Sequence, residues 1–219
     1  MSDETAAFFD LDKTLIDVNS GLLWANYERR QGNISLWQFT RAAFWNLLYH
    51  LSLIDMHKAF DEAVAFYEGD PFESLDTRTR EWFLDEIAHR IRPGAEEAVA
   101  EHRRRGHDLV ILTNSTCFEA KAAAEHWEFD DWLANEFPTD DRGRLTGTFE
   151  SPLCYAAGKV HHAEDWADGR GVSLEESYFY TDSYSDLPML EAVGHPYVVA
   201  PDPRLKREAD RRGWEILEW

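Results

Sequence analysis

The run Ala6-Ala7-Phe8-Phe9 stops abruptly at Asp10, and a second carboxylate follows in Asp10-Leu11-Asp12-Lys13-Thr14. An apolar run of that kind, ended by a charge, reads as a buried parallel strand. Two carboxylates spaced two apart just beyond a strand can point at one spot. One is then placed to attack an electrophile such as phosphorus, and the other to pass a proton to or from the leaving group. Asp10, Asp12 and Thr14 also match the first three ligand positions of an EF-hand loop. That reading fails at Leu15, where the loop needs a glycine, and at Gly21, where it needs a bidentate glutamate.

Two further apolar runs end in the same manner. Asp108-Leu109-Val110-Ile111-Leu112 leads into Thr113, and Tyr178-Phe179-Tyr180-Thr181 into Asp182. In a parallel sheet such ends share one edge, where ligands bind at a switch in strand order. Asp10, Thr113 and Asp182 are therefore expected to converge.

The elements that must position them alternate along the chain. A helix is expected from Pro93-Gly94 to about Arg105, capped by Gly106, and another from Thr113 to about Glu128. Glu136 to Phe149 reads as a hairpin around Asp141-Arg142-Gly143, and Gly158 to Asp168 as a helix. Leu187 to Val193 reads as a helix, Tyr197 to Ala200 as a strand, Pro203 to Arg212 as a helix and Trp214 to Leu217 as a short last strand. The expected fold class is α/β, a Rossmann-like, doubly wound, mostly parallel sheet.

From about Ser20 to Arg90 the pattern is helical, with no convincing strand. Leu22, Leu23, Asn26 and Tyr27 share a face, as do Phe39, Ala43, Phe44, Leu47, Leu48 and Leu51. Phe60, Val64, Ala65 and Tyr67 form a further stripe, and Trp82, Phe83, Glu86 and Ile87 another. The aromatics Trp24, Trp37, Phe39, Phe44 and Trp45 are either core or substrate pocket, with core favoured by the spacing. The boundaries drawn are an α/β core at 1–17 and 91–219 and a helical insertion at 18–90.

A formal charge of −20 over 219 residues argues strongly against a nucleic-acid backbone as partner, since that needs a basic surface. The apolar stretch Ala42 to Ile54 is too short to span a bilayer, so no membrane insertion is expected. The acidic start Met1-Ser2-Asp3-Glu4 is unlike a secretory leader, and Cys117 and Cys154 suggest neither a disulfide framework nor a zinc site. A cytoplasmic location is the expectation. His126, His161, His162 and His195 lack companions at metal-ligand spacing and read as ordinary residues.

Phe9-Asp10-Leu11-Asp12-Lys13-Thr14-Leu15 resembles the first motif of the haloacid dehalogenase superfamily, whose members are mostly phosphatases. Ile111-Leu112-Thr113-Asn114-Ser115 is similar to its second motif, Gly158-Lys159 to its third, and Tyr180-Thr181-Asp182-Ser183-Tyr184-Ser185-Asp186 to its fourth. All four occur in order, over nearly the whole chain. The helical insertion between the first two resembles the C1-type cap of subfamily IB, the branch containing phosphoserine phosphatase. The resemblance implies Asp10 as nucleophile and Asp12 as general acid and base. It implies Thr113 and the amides after it, Asn114 among them, with Lys159, as holders of the phosphoryl group. It implies Mg²⁺ held by Asp10, Asp12 through its carbonyl, and Asp182. Asp186 would complete that shell directly, through water, or by orienting Lys159.

The implied activity is Mg²⁺-dependent hydrolysis of a small phosphorylated metabolite through an aspartyl-phosphate. Phosphoserine phosphatases typically carry a glutamate shortly after the first motif, where this chain reads Asp17-Val18-Asn19-Ser20. They also tend to have Ser-Gly-Gly and Gly-Asp-Gly where this chain has Thr113-Asn114-Ser115 and Thr181-Asp182-Ser183. An amino-alcohol phosphate such as histidinol phosphate is thus as plausible a substrate as phosphoserine. The competing readings are a phosphotransferase with an alcohol acceptor and a non-catalytic protein on this fold.

Overall fold

A computed structural model describes residues 4–37, 40–41 and 56–219. Among these, six strands form one all-parallel sheet in the order β3-β2-β1-β4-β5-β6. They are β1 (Ala6–Phe9), β2 (Asp108–Thr116), β3 (Asp131–Asn135), β4 (Tyr178–Thr181), β5 (His195–Val199) and β6 (Glu215–Leu217). The central strands are short and apolar because both faces are covered. Ala7 and Phe9 pack into one core with Leu109, Ile111 and Tyr180, while Ala6 and Phe8 pack into another with Val110, Leu112 and Phe179. That alternation is the two-residue period of a strand read from both sides. Each large side chain so buried contributes roughly 1.5–3 kcal/mol of transfer free energy.

Helices α1 (Ser20–Arg30), α2 (Met56–Ala65) and α3 (Phe72–Trp82) lie between β1 and β2, and α4 (Pro93–Arg105) leads into β2. Helices α5 (Cys117–Trp127), α6 (Ala157–Asp168), α7 (Leu187–Ala192) and α8 (Pro203–Arg212) connect the later strands. The insertion leaves and rejoins the sheet side by side: Ile16 bridges Ile91, and the Arg92 amide donates to the Leu15 carbonyl at 2.8 Å. Val64, Leu75, Phe118, Phe137 and Leu145 form a third core that docks the inserted helices on α5 and the 136–149 segment.

Several expectations need correction. The 136–149 segment does form a hairpin, bridged at Thr139 and Leu145 with backbone bonds from Thr146 to Pro138 and Glu150 to Glu136, but it builds no regular strands; the Asp140 carboxylate takes the amides of Arg142 and Arg144 at its turn. β2 continues past Thr113 to Thr116, so α5 starts at Cys117 and Thr113 does not sit at a helix N-terminus. β3 went unanticipated. Trp37 is 65 % exposed rather than core, with the Arg41 guanidinium 5.0 Å from its ring centre. The stripe formed by Phe39, Ala43, Phe44, Leu47, Leu48 and Leu51, the stretch Ala42 to Ile54, and Trp45 lie outside the described residues. Among the described residues no helix is long and apolar enough to cross a membrane.

Candidate active site

β1 lies between β2 and β4, with β2 and β3 on one side and β4 to β6 on the other, so the strand order reverses there. This is the switch point at which an open parallel sheet offers a crevice. Asp10 stands one residue beyond β1, its amide donating to the Tyr180 carbonyl at 3.0 Å. The chain then turns tightly, with the amides of Leu15 and Ile16 reaching back to the carbonyls of Asp10 and Leu11 at 3.3 and 3.0 Å. Lys13 adopts a left-handed φ of 58° within this turn. Buried Thr14 ties it to β4, its Oγ1 accepting from the Asp182 amide at 3.0 Å. Asp12 Oδ1 accepts from the amide of Ser20, the first residue of α1, at 3.0 Å.

Lys159, in the first turn of α6 and only 1 % exposed, links the carboxylates. Its Nζ donates to Asp10 Oδ1 and to Asp186 Oδ2, both at 2.7 Å. Asp186 Oδ2 also accepts from Thr181 Oγ1 at 2.7 Å. Burial opposes the charge on Lys159, but Asp10 and Asp186 outweigh it and hold the ammonium well above the ordinary lysine range. The start of α6 is tightly constrained. Ala156 has φ 51° and ψ −122°, and a Cβ on Gly158 would stand 1.9 Å from the Leu153 carbonyl oxygen.

Thr113 Oγ1 accepts from the Ser115 amide at 3.1 Å. Buried Asn135, at the end of β3, donates from Nδ2 to the Asn114 carbonyl at 2.6 Å and accepts at Oδ1 from the Cys154 amide at 2.8 Å. One side chain therefore connects the end of β2 to the loop that enters α6. Asp202 supports the fourth motif similarly: its amide donates to the Asp182 carbonyl at 2.9 Å and its Oδ2 accepts from the Tyr184 amide at 2.6 Å. Neither Asn135 nor the contacts of Asp202 followed from the sequence. The only local signal for Asn135 was a short apolar run, Trp132-Leu133-Ala134, ahead of it.

The structure thus brings Asp10, Asp12, Thr113, Asn114, Lys159, Asp182 and Asp186 to the wall of one cavity of about 1030 Å³, also lined by Trp24, Phe60, Tyr67 and Trp82. The charges there do not balance. Burial pushes Asp10 up to about 7, with Lys159 pulling it down and Asp186 and Asp12 raising it further. Asp182 is pushed up to about 8 by burial and then by Asp10, against a downward pull from Lys13. Asp12 is raised chiefly by burial. The donor set is short of positive charge, and a hard divalent cation fits that deficit. Among the described residues no three His, Cys, Asp or Glu side chains form a ready metal cage. Asp186 is turned to Lys159 and Thr181, and Asp12 Oδ1 to Ser20. Two carboxylates and a main-chain carbonyl, with positions over for water and phosphate oxygens, suit Mg²⁺.

Known proteins with similar sequences agree with this geometry. The family model for haloacid dehalogenase-like hydrolases matches residues 7–191. A probable phosphatase of Mycobacterium tuberculosis is 31% identical over 98% of this chain and 75% of its own length. A histidinol-phosphatase of Neisseria meningitidis is 27% identical over 97% of this chain and 98% of its own. Among solved structures, a Bordetella pertussis protein of unknown function superposes with a TM-score of 0.89 at 27% identity, covering 99% of both chains. With the motifs in order at the switch point of such a sheet, the chain belongs to the haloacid dehalogenase-like hydrolases, in the part of that family that hydrolyses phosphoesters.

Proposed function

We propose that this enzyme hydrolyses a small phosphomonoester, phosphoserine-like or an amino-alcohol phosphate, through a phosphoryl group carried on Asp10. The observation that carries the reading is the buried Lys159 ammonium, shared at 2.7 Å between Asp10 and Asp186 beside two further carboxylates. Lys159 occupies Asp10 Oδ1, which leaves Oδ2 to attack phosphorus. As the new O–P bond forms, the ester P–O bond breaks, and the leaving oxygen takes a proton from Asp12. The raised pKa of Asp12 suits it to hold that proton. Water then attacks the same phosphorus, gives its proton to Asp12 and releases phosphate from Asp10.

Thr113 and Asn114 supply polar groups for the phosphoryl oxygens, while Lys159 neutralises charge on Asp10 and on the transferring group. Asp10, Asp182 and the Asp12 carbonyl would hold Mg²⁺, which when bound supplies Lewis-acid neutralisation of the phosphoryl oxygens. Asp186 positions Lys159. Residues 18–90 act as a cap that excludes water during transfer to Asp10 and readmits it afterwards.

Asp10→Asn tests this directly. Turnover of p-nitrophenyl phosphate with Mg²⁺ is expected to fall by about three orders of magnitude or more, with the fold retained by circular dichroism. Substantial residual turnover would remove Asp10 as acceptor.

A further inference from the structure

Two buried carboxylates of this cavity wall take no part in the transfer chemistry, and they differ in one respect. Glu28 on α1 has a cation: Arg78 Nε lies 3.1 Å from its Oε1, and Asn33 donates to the same oxygen at 2.9 Å. Glu119, in the first turn of α5 and 5 % exposed, has none among the described residues. Its Oε1 is buried and has no hydrogen-bond partner among the described residues. The sequence Thr116-Cys117-Phe118-Glu119 suggests a capping box, and half of one forms, since Thr116 Oγ1 accepts from the Glu119 amide at 3.3 Å. No return bond from the Glu119 carboxylate to the Thr116 amide completes it. The hydroxyls of Ser20 and Ser115 draw its pKa down a little, but burial and the Asp12 charge push it up to about 8. No lysine or arginine is among the groups acting on it.

Leaving such a carboxylate unpaired is unfavourable, and native interiors rarely do so without a use. Its position suggests the use. Glu119 lines the same cavity as Asp10 and Asp12, and the Asp12 charge acts on it. If Asp12 protonates the leaving oxygen, the alcohol part of the substrate extends from Asp12 toward Glu119. This step rests on the proposed phosphomonoesterase reading. A second metal ion is a poor occupant, because one carboxylate and two hydroxyls are a thin ligand set for a hard dication. Trp24, Tyr67 and Trp82 line the same cavity and offer aromatic faces of the sort that attract organic cations.

We infer that Glu119 is a substrate-binding residue that accepts a cationic nitrogen, an ammonium or imidazolium, on the alcohol part of the phosphomonoester. The phosphoryl end then meets Lys159 and the carboxylates at the sheet edge, and the cationic end meets Glu119 at the head of α5.

The test uses two isosteric series with Mg²⁺: ω-aminoalkyl phosphates with two to five carbons, and alkyl phosphates in which a methyl replaces the ammonium. The quantity read is the ratio of kcat/KM within each pair, so the amount of folded enzyme cancels. The wild-type ratio is expected to peak at one chain length at about tenfold or more, and to fall by a similar factor in Glu119→Gln. A wild-type ratio near one at every length overturns the inference while the alkyl phosphates, if turned over, leave the hydrolase reading intact. A peak that survives in Glu119→Gln overturns Glu119 as its origin. Failure of both series in wild-type enzyme overturns the phosphomonoesterase reading and this inference with it.

Discussion

The cavity has two kinds of wall, and they are held in place by different forces. At the sheet edge, Asp10, Thr14, Thr181, Asp182, Asp186 and Lys159 are joined by side-chain hydrogen bonds of 2.7–3.0 Å, most of them between segments remote in sequence. The wall from the insertion is aromatic. Trp24 stacks on Tyr27 at 5.5 Å and meets Trp82 edge-on at 5.2 Å, and its one side-chain hydrogen bond runs to the Tyr67 hydroxyl at 2.9 Å. Directional bonds between buried charges fix atoms closely. Ring packing fixes a volume and tolerates repacking. On the proposed reading, the charged wall carries the transfer chemistry, while the aromatic wall and Glu119 bound the space left for the alcohol.

The contrast is broken most severely at Lys159. In Lys159→Met, Asp10 and Asp186 lose their shared cation in a buried site. Stability at neutral pH is expected to drop by about 3 kcal/mol or more in urea unfolding, with activity lost. A small loss of stability would mean that the carboxylates are less dependent on Lys159 than their geometry implies.

A smaller effect separates the charged wall from the rest of the molecule by pH. Asp10 at about 7, Asp182 at about 8 and Glu119 at about 8 lie above their ordinary values. The folded state therefore keeps protons that the unfolded chain has released, and stability falls as pH rises through that range. His102, pushed down to about 4 chiefly by burial, works in the opposite sense, but its loss of stability begins only as pH falls below the ordinary histidine value. Between pH 6.5 and 8.5, Tm in EDTA is expected to fall by several degrees. Mg²⁺ should flatten the share of that slope due to Asp10 and Asp182 and leave that of Glu119, and an equally steep slope with Mg²⁺ would argue against Asp10 and Asp182 sharing the ion.

The smallest effect belongs to the aromatic wall. Tyr67→Phe leaves the Trp24 indole N–H without its acceptor and is expected to lower stability by about 1 kcal/mol. Turnover of a compact substrate such as p-nitrophenyl phosphate should change by less than about threefold. A much larger loss would show that the insertion does more than shape volume.

The same division governs what could be read from the sequence. Asp10, Thr113 and Asp182 were legible because each ends an apolar run, and strand ends are a local signal. Lys159 was weak in isolation; its position depends on Asp10 and Asp186, which only folding brings near it. β3 was missed because it is half-covered at the sheet edge and offers three apolar residues, Trp132-Leu133-Ala134. With it went Asn135. The end of β2 was misread because Asn114, Ser115 and Thr116 are polar and look like a loop, although Thr116 pairs with Asn135. Glu119 drew no reading from the sequence. Nothing local to the chain distinguishes a satisfied capping glutamate from one facing an empty stretch of wall.

The approach to α6 has a consequence for how Lys159 works. Most lysines sample many rotamers at the end of a flexible stem, but this one leaves a turn in which Ala156 holds a conformation suited to glycine and Gly158 lies flat against the Leu153 carbonyl. With its burial and its bonds to Asp10 and Asp186, the ammonium is a fixed electrode rather than a swinging arm. Its field at Asp10 is set before any substrate arrives, so the reorganisation that a mobile cation would need during each turnover is already complete in the resting enzyme.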